Sequence, residues 1–253
     1  MIDLHTHLLP GVDDGSDSTE ESVKVLTRMA QHGVTAVLLT PHVSASQLEA
    51  DAEEPLRRRQ RSYEELQAYA PPTPQLHLGF EVMLDQPMPT LAMGDRRISL
   101  AGSRYYLVEF PLGVVADFAT TVLNQIARSG AVPLVAHAER YDACSVPTVS
   151  AWREVGAKIQ VDGTTVTRPG TRGRRARELL EAGLADVIAS DNHGGRRTVA
   201  TGQDYLTQLG YETVAQRLTL ENPRAVLEDA EMVDVPAVKI EEGMLSRIKR
   251  VFE

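Results

Sequence analysis

The sequence predicts an α/β fold, built as a closed or nearly closed barrel of parallel strands. Short apolar runs bounded by turn residues alternate with helical patterns as far as about residue 190. The length of 253 residues also matches the roughly 250 residues that one α/β barrel occupies. An open, doubly wound sheet would give the same local alternation, so closure of the barrel is an expectation rather than a deduction.

Seven apolar runs are predicted to be buried parallel strands. Continuous apolar stretches are typical of strands that helices cover on both faces. The runs are Ile2 to Leu4, Ala36 to Leu39, Leu76 to Met83, Tyr105 to Phe110, Val132 to Ala136, Ile159 to Val161 and Asp186 to Ala189.

Helical patterns lie between most of these strands. Ser18 is the expected N-cap of the first helix, and Glu21 three residues later completes a capping-box pattern. No linker or change of composition divides the chain, so residues 1–253 are expected to form one domain with peripheral helices from about residue 198. Further helices are expected over about Leu48 to Tyr69, Asp117 to Arg128, Val149 to Val155 and Gly173 to Ala182.

Composition excludes several classes of protein. A net charge of −9 argues against sequence-independent binding of nucleic acid, which depends on many lysine and arginine contacts to phosphates. No window approaches the roughly 18 to 20 apolar residues that span a bilayer, and no export signal opens the chain. The single cysteine, Cys144, cannot form an internal disulfide. A cytoplasmic protein without membrane insertion is therefore expected.

Potential metal ligands fall where the predicted strands end. His5 and His7 end the first strand, and residues two apart in extended chain point the same way, so both imidazoles can face one ion. This pair alone is a weak signal, but other imidazoles and carboxylates fall at equivalent places, and parallel barrel strands open onto one face. The candidates are His5, His7, Asp14, His42, Glu81, Glu109, His137, Asp191 and His193, with Asp13 beside Asp14; His32 and His77 fall elsewhere and are expected to be structural.

Four of these candidates are acidic, and bringing them together requires positive charge. Two unit charges about 4 Å apart repel by roughly 1 kcal/mol in water and about 4 kcal/mol at an effective dielectric constant near 20. Divalent metals would supply the charge, and mixed imidazole and carboxylate ligands suit zinc, manganese or iron. Three such ions against four carboxylates would leave about two excess positive charges, enough for a phosphate and an attacking metal hydroxide. The predicted chemistry is phosphoester hydrolysis.

Other routes to phosphate chemistry lack their sequence motifs. The chain has no Gly-x-x-x-x-Gly-Lys-Ser/Thr loop for a nucleotide and no Gly-x-Ser-x-Gly elbow for an activated serine. Ser150 stands six positions after Cys144, where a cysteine phosphatase would have arginine. Cys144 is therefore interpreted as an ordinary buried or partly buried residue.

Six short motifs carry the candidate ligands: IDLHTHLLPGVDDG at residues 2–15, TPH at 40–42, GFE at 79–81, YLVEFP at 106–111, AHAERY at 136–141 and SDNH at 190–193. In these motifs the chain resembles the polymerase and histidinol phosphatase (PHP) superfamily. The opening motif is similar to that of its bacterial branch of manganese-dependent protein-tyrosine phosphatases, which regulate capsule and exopolysaccharide synthesis. The resemblance covers nearly the whole chain and implies a distorted seven-stranded (β/α) TIM-like barrel.

The resemblance also implies a ligand set for three divalent ions, with manganese the first choice and iron or zinc as alternatives. One ion would be held by His5, His7, Glu81 and Asp191, a second by Glu81, Glu109 and His137, and a third by Asp14, His42 and His193. Arg140 would contact the phosphate, and a second arginine after the Asp-x-His motif would be Arg196 or Arg197. The alternative for Arg140 is a surface ion pair with Glu139. The loop from Arg168 to Arg175 is expected to attract an anionic substrate.

By the same resemblance, the expected activity is hydrolysis of phosphotyrosine on a protein, the tail of a bacterial tyrosine autokinase of exopolysaccharide synthesis, by metal-hydroxide attack. Two other hydrolase functions stay open: a small-molecule phosphatase acting on a compound such as histidinol phosphate, and a nuclease, which the acidic net charge disfavours. A metal-stabilised module that binds phosphorylated partners without turnover is the alternative from a different class.

Overall fold

Parallel strands form two sheets in the computed structural model, which describes residues 1–240. The sheet orders are β1-β2-β4 and β3-β5-β6-β7-β8-β9, and every pair within them is parallel. The strands are β1 (Ile2–Thr6), β2 (Ala36–Leu39), β3 (His42–Ser44), β4 (Gln75–Leu78), β5 (Glu81–Met83), β6 (Tyr105–Glu109), β7 (Val132–Val135), β8 (Lys158–Asp162) and β9 (Val187–Ala189).

Two predicted strand regions are divided in the structure. The prediction of one strand from Leu76 to Met83 is wrong, because the chain leaves the sheet at Gly79, whose carbonyl accepts a hydrogen bond from Arg59 Nη1 at 3.0 Å. The second predicted strand is followed by a separate short strand, β3, after Pro41, which has no N–H to donate to a sheet. After each break a new strand begins at a candidate ligand, which is His42 for β3 and Glu81 for β5.

The ends of β1 and β9 approach each other. Thr6 and Asn192 form an isolated parallel bridge, and the His7 N–H donates to the Asn192 carbonyl at 2.8 Å. The Asp191 N–H donates to the His5 carbonyl at 3.0 Å. The predicted α/β class with parallel sheets is confirmed. A regular seven-stranded barrel is not seen in residues 1–240. There, the Thr6–Asn192 bridge is the only strand-type pairing between the ends of β1 and β9.

Helices cover the outside of the sheets. Ser18 caps α1 as predicted, but Glu21 reaches the Asp17 N–H instead of closing the capping box on Ser18. The single helix predicted from Leu48 to Tyr69 is two helices that meet at Ala52. The helices are α1 (Thr19–Gln31), α2 (Ala45–Asp51), α3 (Glu53–Gln67), α4 (Thr90–Gly94), α5 (Ala116–Arg128), α6 (Val146–Glu154), α7 (Thr171–Glu181), α8 (Val199–Gln208), α9 (Glu212–Gln216) and α10 (Asn222–Leu227), with a π-turn at Arg217–Glu221.

The C-terminal part agrees with the prediction of helices only up to α10. Residues 230–240 form neither helix nor strand, and the rest of the predicted helical tail lies outside the described residues. In the described part of the chain, no helix combines the length and apolar character that a membrane span would require.

Alternating strand residues build two apolar cores. Tyr106 and Val108 of β6 pack in the larger core under the helices, whereas Tyr105 and Leu107 pack in a smaller cluster on the other face of the sheet. This alternation is the period of two that any strand imposes. Glu109 is the next residue on the face of Tyr105 and Leu107, so β6 carries its acidic end above the smaller cluster.

Candidate metal centre

The nine residues singled out in the sequence lie together at one end of the strands. They surround the inner end of a cavity of about 770 Å³, which is lined directly by Asp14, His42, Glu109, His137 and His193. Burial differs within the set, since His5, His7 and Glu81 are fully buried whereas the Asp14 side chain is 73% exposed. The set comprises His5, His7, Asp14, His42, Glu81, Glu109, His137, Asp191 and His193.

The deepest part of the site is a group of four acceptor atoms around one point. The Nε2 atoms of His5 and His7 lie 3.0 Å apart, and Glu81 Oε2 lies 3.1 Å and 3.3 Å from them. Asp191 Oδ1 lies 3.4 Å from His5 Nε2 and 3.5 Å from His7 Nε2. Ligands about 2.0 to 2.2 Å from one ion are separated from each other by about 3 to 3.5 Å. Both imidazole nitrogens therefore lie at the spacing of metal ligands from each other and from the two carboxylate oxygens.

Two hydrogen bonds on the far side of the rings fix which nitrogen faces this point. His7 Nδ1 lies 2.6 Å from Asp13 Oδ2, an acceptor, so Nδ1 carries the proton. His5 Nδ1 lies 3.0 Å from Gln160 Oε1, which assigns the same tautomer. When the rings are neutral, both Nε2 lone pairs then face each other and two carboxylates. Such an arrangement requires a cation between them, and outer hydrogen bonds of this kind are typical around metal-bound histidine.

A second group shares Glu81 with the first. His42 Nδ1 lies 3.0 Å from Glu81 Oε2 and 3.0 Å from Glu109 Oε1. His137 Nε2 lies 2.8 Å from Glu81 Oε1 and 3.7 Å from Glu109 Oε2. The two oxygens of Glu81 thus face different sets of nitrogens, which is the geometry expected of a carboxylate that bridges two ions.

A third group lies nearest to solvent. Asp14 Oδ1 is 3.4 Å from His42 Nε2 and 3.5 Å from His193 Nε2, and His7 is close enough to share the group. The side chains of each set that the resemblance implied therefore lie near one another. It differs in that His42 also faces Glu81 and Glu109 through its other nitrogen.

Buried atoms without hydrogen-bond partners fit a cation-binding site. Among residues 1–240, Glu81 Oε2, Asp191 Oδ1 and His137 Nδ1 are buried and take part in no well-directed hydrogen bond, although imidazoles lie close to both carboxylates. Burial raises the pKa of Glu81, but His5, His137 and His42 outweigh it and hold that pKa well below its usual range. Burial lowers the pKa of His42, yet Glu109 and Glu81 raise it overall to about 10. The cage attracts positive charge, as protons or as metal ions, and the donor set fits divalent metals.

Unusual backbone conformations and one close backbone contact position three parts of the site. His137 and Asp191 have φ of 33° and 50°, in the left-handed region that residues other than glycine rarely adopt. Gly15 packs so closely on His7 that an added Cβ would lie 2.0 Å from the His7 carbonyl oxygen. The Gly15 N–H also donates to Asp13 Oδ1 at 3.0 Å. The loop after β1 thus needs glycine at this position to hold Asp13 against His7.

Two of the three candidate arginines face the site. Arg140 Nη2 lies 2.5 Å from Asp191 Oδ2, and Arg197 Nη1 lies 2.7 Å from the same oxygen. Both side chains line the cavity, whereas Arg196 is exposed and does not. Glu139 is fully buried and accepts a hydrogen bond from the Asp162 N–H, so the alternative of a surface ion pair between Glu139 and Arg140 is wrong. Burial and the nearby Asp162 raise the pKa of Glu139 to about 8.

The polar residues that support the candidate ligands were not predicted from the sequence. Asp13 was expected only as a neighbour of Asp14, and Gln160 and Asp162 in β8 were given no role. Asp162 Oδ2 lies 3.1 Å from Arg197 Nη2, while its other oxygen accepts the Thr164 and Thr165 N–H groups. A glutamine and an aspartate in an otherwise apolar run were the available signal. His32 and His77 lie away from the site, as expected.

Known proteins are similar to this chain over most of its length. The family model for capsular polysaccharide synthesis, CpsB/CapC, matches residues 1–228. The tyrosine-protein phosphatase CpsB of Streptococcus pneumoniae is 28% identical over 246 residues, covering 90% of this chain and 99% of that protein. The tyrosine-protein phosphatase YwqE of Bacillus subtilis is 26% identical over 246 residues, covering 92% and 91%. A crystal structure reported for YwqE and CpsB, described as metal-dependent tyrosine phosphatases, has a TM-score of 0.76 at 21% identity over 96% of this chain and all of the other, which shows a shared fold.

Proposed function

Because the chain belongs to the CpsB/CapC family of capsular polysaccharide synthesis, we propose that it is a metal-dependent phosphatase that hydrolyses phosphotyrosine in proteins. The observation that carries this proposal is the cage around Glu81, where five imidazoles and four carboxylates converge at the base of an open cavity. Divalent ions held there would neutralise the phosphate and lower the pKa of the attacking water.

We propose three ions, with manganese as the first choice and iron or zinc as alternatives. His5, His7, Glu81 and Asp191 would hold the deepest ion, because their four facing atoms have the spacing of one coordination shell. Glu109 and His137 would share Glu81 for a second ion, and Asp14, His42 and His193 would hold the third. The unpartnered oxygens of Glu81 and Asp191 support the first two assignments.

Arg140 and Arg197 would bind the phosphoryl group. Both guanidinium groups reach the cavity and are held by Asp191 Oδ2, while Asp191 Oδ1 faces the cage. A metal ligand thus also orients the two groups that would grip the substrate, and a guanidinium fork suits phosphate oxygens. Arg196 is not included because its side chain is exposed and outside the cavity.

The rest of the cavity suits an aromatic phosphoester. Val43, Met83, Phe110 and Leu112 line it together with the site residues, so a tyrosine ring could pack against apolar side chains while its phosphate reaches the cage. The phenolate of tyrosine, whose conjugate acid has a pKa of about 10, is also a better leaving group than the alkoxide of serine or threonine. Both features favour phosphotyrosine.

Other expectations stay predictions. We propose that the two sheets act as one distorted seven-stranded barrel, since β3 and β5 follow β2 and β4 after short breaks and the Thr6–Asn192 bridge links the ends. We propose one phosphoesterase domain for residues 1–253, a proposal supported by a core that runs from Leu8 to Val238. We propose the autokinase tail as the partner from the resemblance alone, and a cytoplasmic location from the composition of the chain.

A substrate panel tests the proposed function. Purified protein is stripped of metal with a chelator and then reloaded separately with Mn²⁺, Fe²⁺ or Zn²⁺. Rates are measured on a phosphotyrosine peptide, a matched phosphoserine peptide, histidinol phosphate and single-stranded DNA. We expect metal-dependent turnover that is fastest on phosphotyrosine. Activity that survived complete metal removal would contradict the mechanism, and faster turnover of histidinol phosphate or DNA would replace the substrate assignment.

A further inference from the structure

The most basic segment of this acidic chain lies at the start of α7. Residues 168–177 contain five arginines and no acidic residue, in a protein whose net charge is −9. Arg168 and Arg172 are exposed, and neither has an ion-pair partner among residues 1–240, whereas Arg174 pairs with Glu178 at 3.0 Å. A solvated helix face normally mixes both signs of charge, so this segment is unusual.

Arginines at the amino end of α7 do not stabilise that helix. The amino end of a helix carries partial positive charge and favours acidic residues. Helix α1 follows that rule with a Ser18 cap and acidic residues in its first turn, but α7 has Gly170 at the cap, no side-chain capping bond and no acidic residue in its first turn. The same arrangement strengthens the local positive potential, which suits anion binding.

The start of α7 adjoins the wall of the active-site cavity. Helix α7 follows β8, whose last residue Asp162 holds Arg197. Arg175 Nη1 donates to the Tyr141 carbonyl at 2.8 Å, and Arg175 Nη2 to the Asp142 carbonyl at 3.3 Å. Tyr141 lines the cavity beside Arg140. A polypeptide that places a phosphotyrosine in the cavity would therefore have neighbouring residues close to these arginines.

The backbone that presents Arg168 is held in place. The Arg168 carbonyl accepts from Arg177 Nη1 at 2.9 Å, and Arg177 Nη1 also donates to the Val166 carbonyl at 3.0 Å. Gly173 packs against the same carbonyl, since an added Cβ would lie 1.9 Å from the Arg168 oxygen. The fold therefore holds the Arg168 backbone in one position.

We propose that Arg168, Arg172 and Arg175, the α7 arginine surface, dock acidic residues that flank the phosphotyrosine of a protein substrate. The inference rests on the proposed function and adds a substrate preference to it. An acidic peptide fits better than a nucleic acid, because the surface is small and the rest of the chain is strongly negative. The surface acts through long-range attraction and flanking contacts, separately from the groups that bind the phosphate.

The test compares two phosphotyrosine peptides, one flanked by Asp and Glu and the other by Asn and Gln at the same positions. The measured quantity is the ratio of kcat/KM for the acidic peptide to that for the neutral peptide. In the double variant Arg168→Glu/Arg172→Glu we expect this ratio to fall about tenfold at low salt, and the difference to shrink in 0.5 M NaCl, because exposed charges are screened. An acidic residue at position 172 in the first turn of α7 suits the helix dipole, and position 168 is exposed, so the Tm should not fall and misfolding would be visible separately.

The matched control is Arg61→Glu/Arg128→Glu, which changes net charge by the same amount on α3 and α5. It should leave the peptide ratio within about twofold of wild type, because charges that the flanking residues do not contact act only through solvent and are screened. An equal loss for both peptides in the α7 variant, or a ratio that the control lowers as much, would overturn the docking surface. Wild-type protein without metal-dependent activity on either peptide would instead refute the proposed function.

Discussion

Two fully buried carboxylates, Asp186 and Glu81, are treated in opposite ways by this fold. Asp186 lies just before β9, and its Oδ1 accepts from Arg153 Nη2 at 3.0 Å while its Oδ2 accepts the Ile159 N–H at 2.9 Å. Its backbone carbonyl is bound by Asn222 as well. Glu81 is equally buried, but its Oε2 lies among imidazoles without a well-directed hydrogen bond from any described residue.

The difference separates a structural charge from one that a ligand must complete. A buried charge is tolerated when its partners and hydrogen bonds are in place, as they are around Asp186. Around Glu81 the chain instead collects further acceptors and strained backbone, which lowers stability unless a cation enters. We therefore expect substitutions at Asp186 to affect folding and substitutions at the Glu81 cage to affect metal binding and turnover.

Replacing Glu81 should have the largest effect. Glu81→Gln keeps the volume but removes the charge that would be shared between two ions, so we expect kcat/KM on a phosphotyrosine peptide to fall at least about 1000-fold. The rise in Tm that Mn²⁺ gives the wild-type protein should also largely disappear, because weaker binding to the native state stabilises it less. Turnover near the wild-type rate with an undiminished Mn²⁺ effect on Tm would refute the site assignment.

Asp186→Ala should mainly lower stability. It leaves two cations and the Ile159 N–H without their buried acceptor, so we expect the free energy of unfolding to fall by about 3 kcal/mol. Urea denaturation measures this value, and kcat per folded molecule should stay within about twofold. Asp234, which is 98% exposed and 3.9 Å from the same Arg153, offers a control, and Asp234→Ala should not measurably change stability. Equal effects of the two substitutions would show that burial of Asp186 contributes nothing.

The arginines extend the comparison to groups that would contact substrate. Arg140→Ala and Arg197→Ala should each lower kcat/KM by about 100-fold, the usual scale for one group that stabilises charge in the transition state. Arg196→Ala should change it less than about twofold, because exposed residues outside a site have small effects. Steady-state kinetics on one phosphotyrosine peptide compares all three variants. A larger loss from Arg196 than from Arg197 would reverse the assignment made from their exposure.

Replacing Gln160 should have the smallest effect of the four groups of substitutions. Gln160→Ala removes the acceptor that orients His5, and loss of such a bond typically weakens metal affinity by about 10-fold to 100-fold. We expect the lower end of that range, measured by calorimetric titration of Mn²⁺ into metal-free protein. Gln160→Glu retains an acceptor for His5 Nδ1 and should recover most of the affinity. Failure of Glu to recover it, together with a normal fold, would mean that Gln160 serves a different purpose.

One simple rule predicted that the candidate ligands would converge. Parallel strands bring their carboxyl ends together, so polar residues that end apolar runs were expected to converge, and His5, Glu109 and His137 lie in the same site. The same rule could not separate a ligand from its support. Asp13 and Asp14 are adjacent in the sequence, yet the first orients His7 and the second faces His42 and His193.

Details fixed by single side-chain hydrogen bonds could not be predicted from the sequence. The run from Leu76 to Met83 is apolar throughout except at His77, Gly79 and Glu81, and at the break the Gly79 carbonyl is bound by Arg59. The choice between Arg196 and Arg197 depends on a loop whose shape is set by Asn192 Nδ2, which donates to the Arg197 carbonyl at 2.5 Å. Neither contact leaves a periodic pattern that could have been recognised.

Anomalous diffraction from crystals soaked in Mn²⁺ tests the central claim most directly. We expect the strongest peak between the Nε2 atoms of His5 and His7 and the carboxylates of Glu81 and Asp191, with a second peak on the other side of Glu81 near His137. Weaker density near Asp14 and His193 would mark the third ion. Manganese peaks only at other positions, or none at saturating Mn²⁺, would contradict the proposal that this cage is a metal centre.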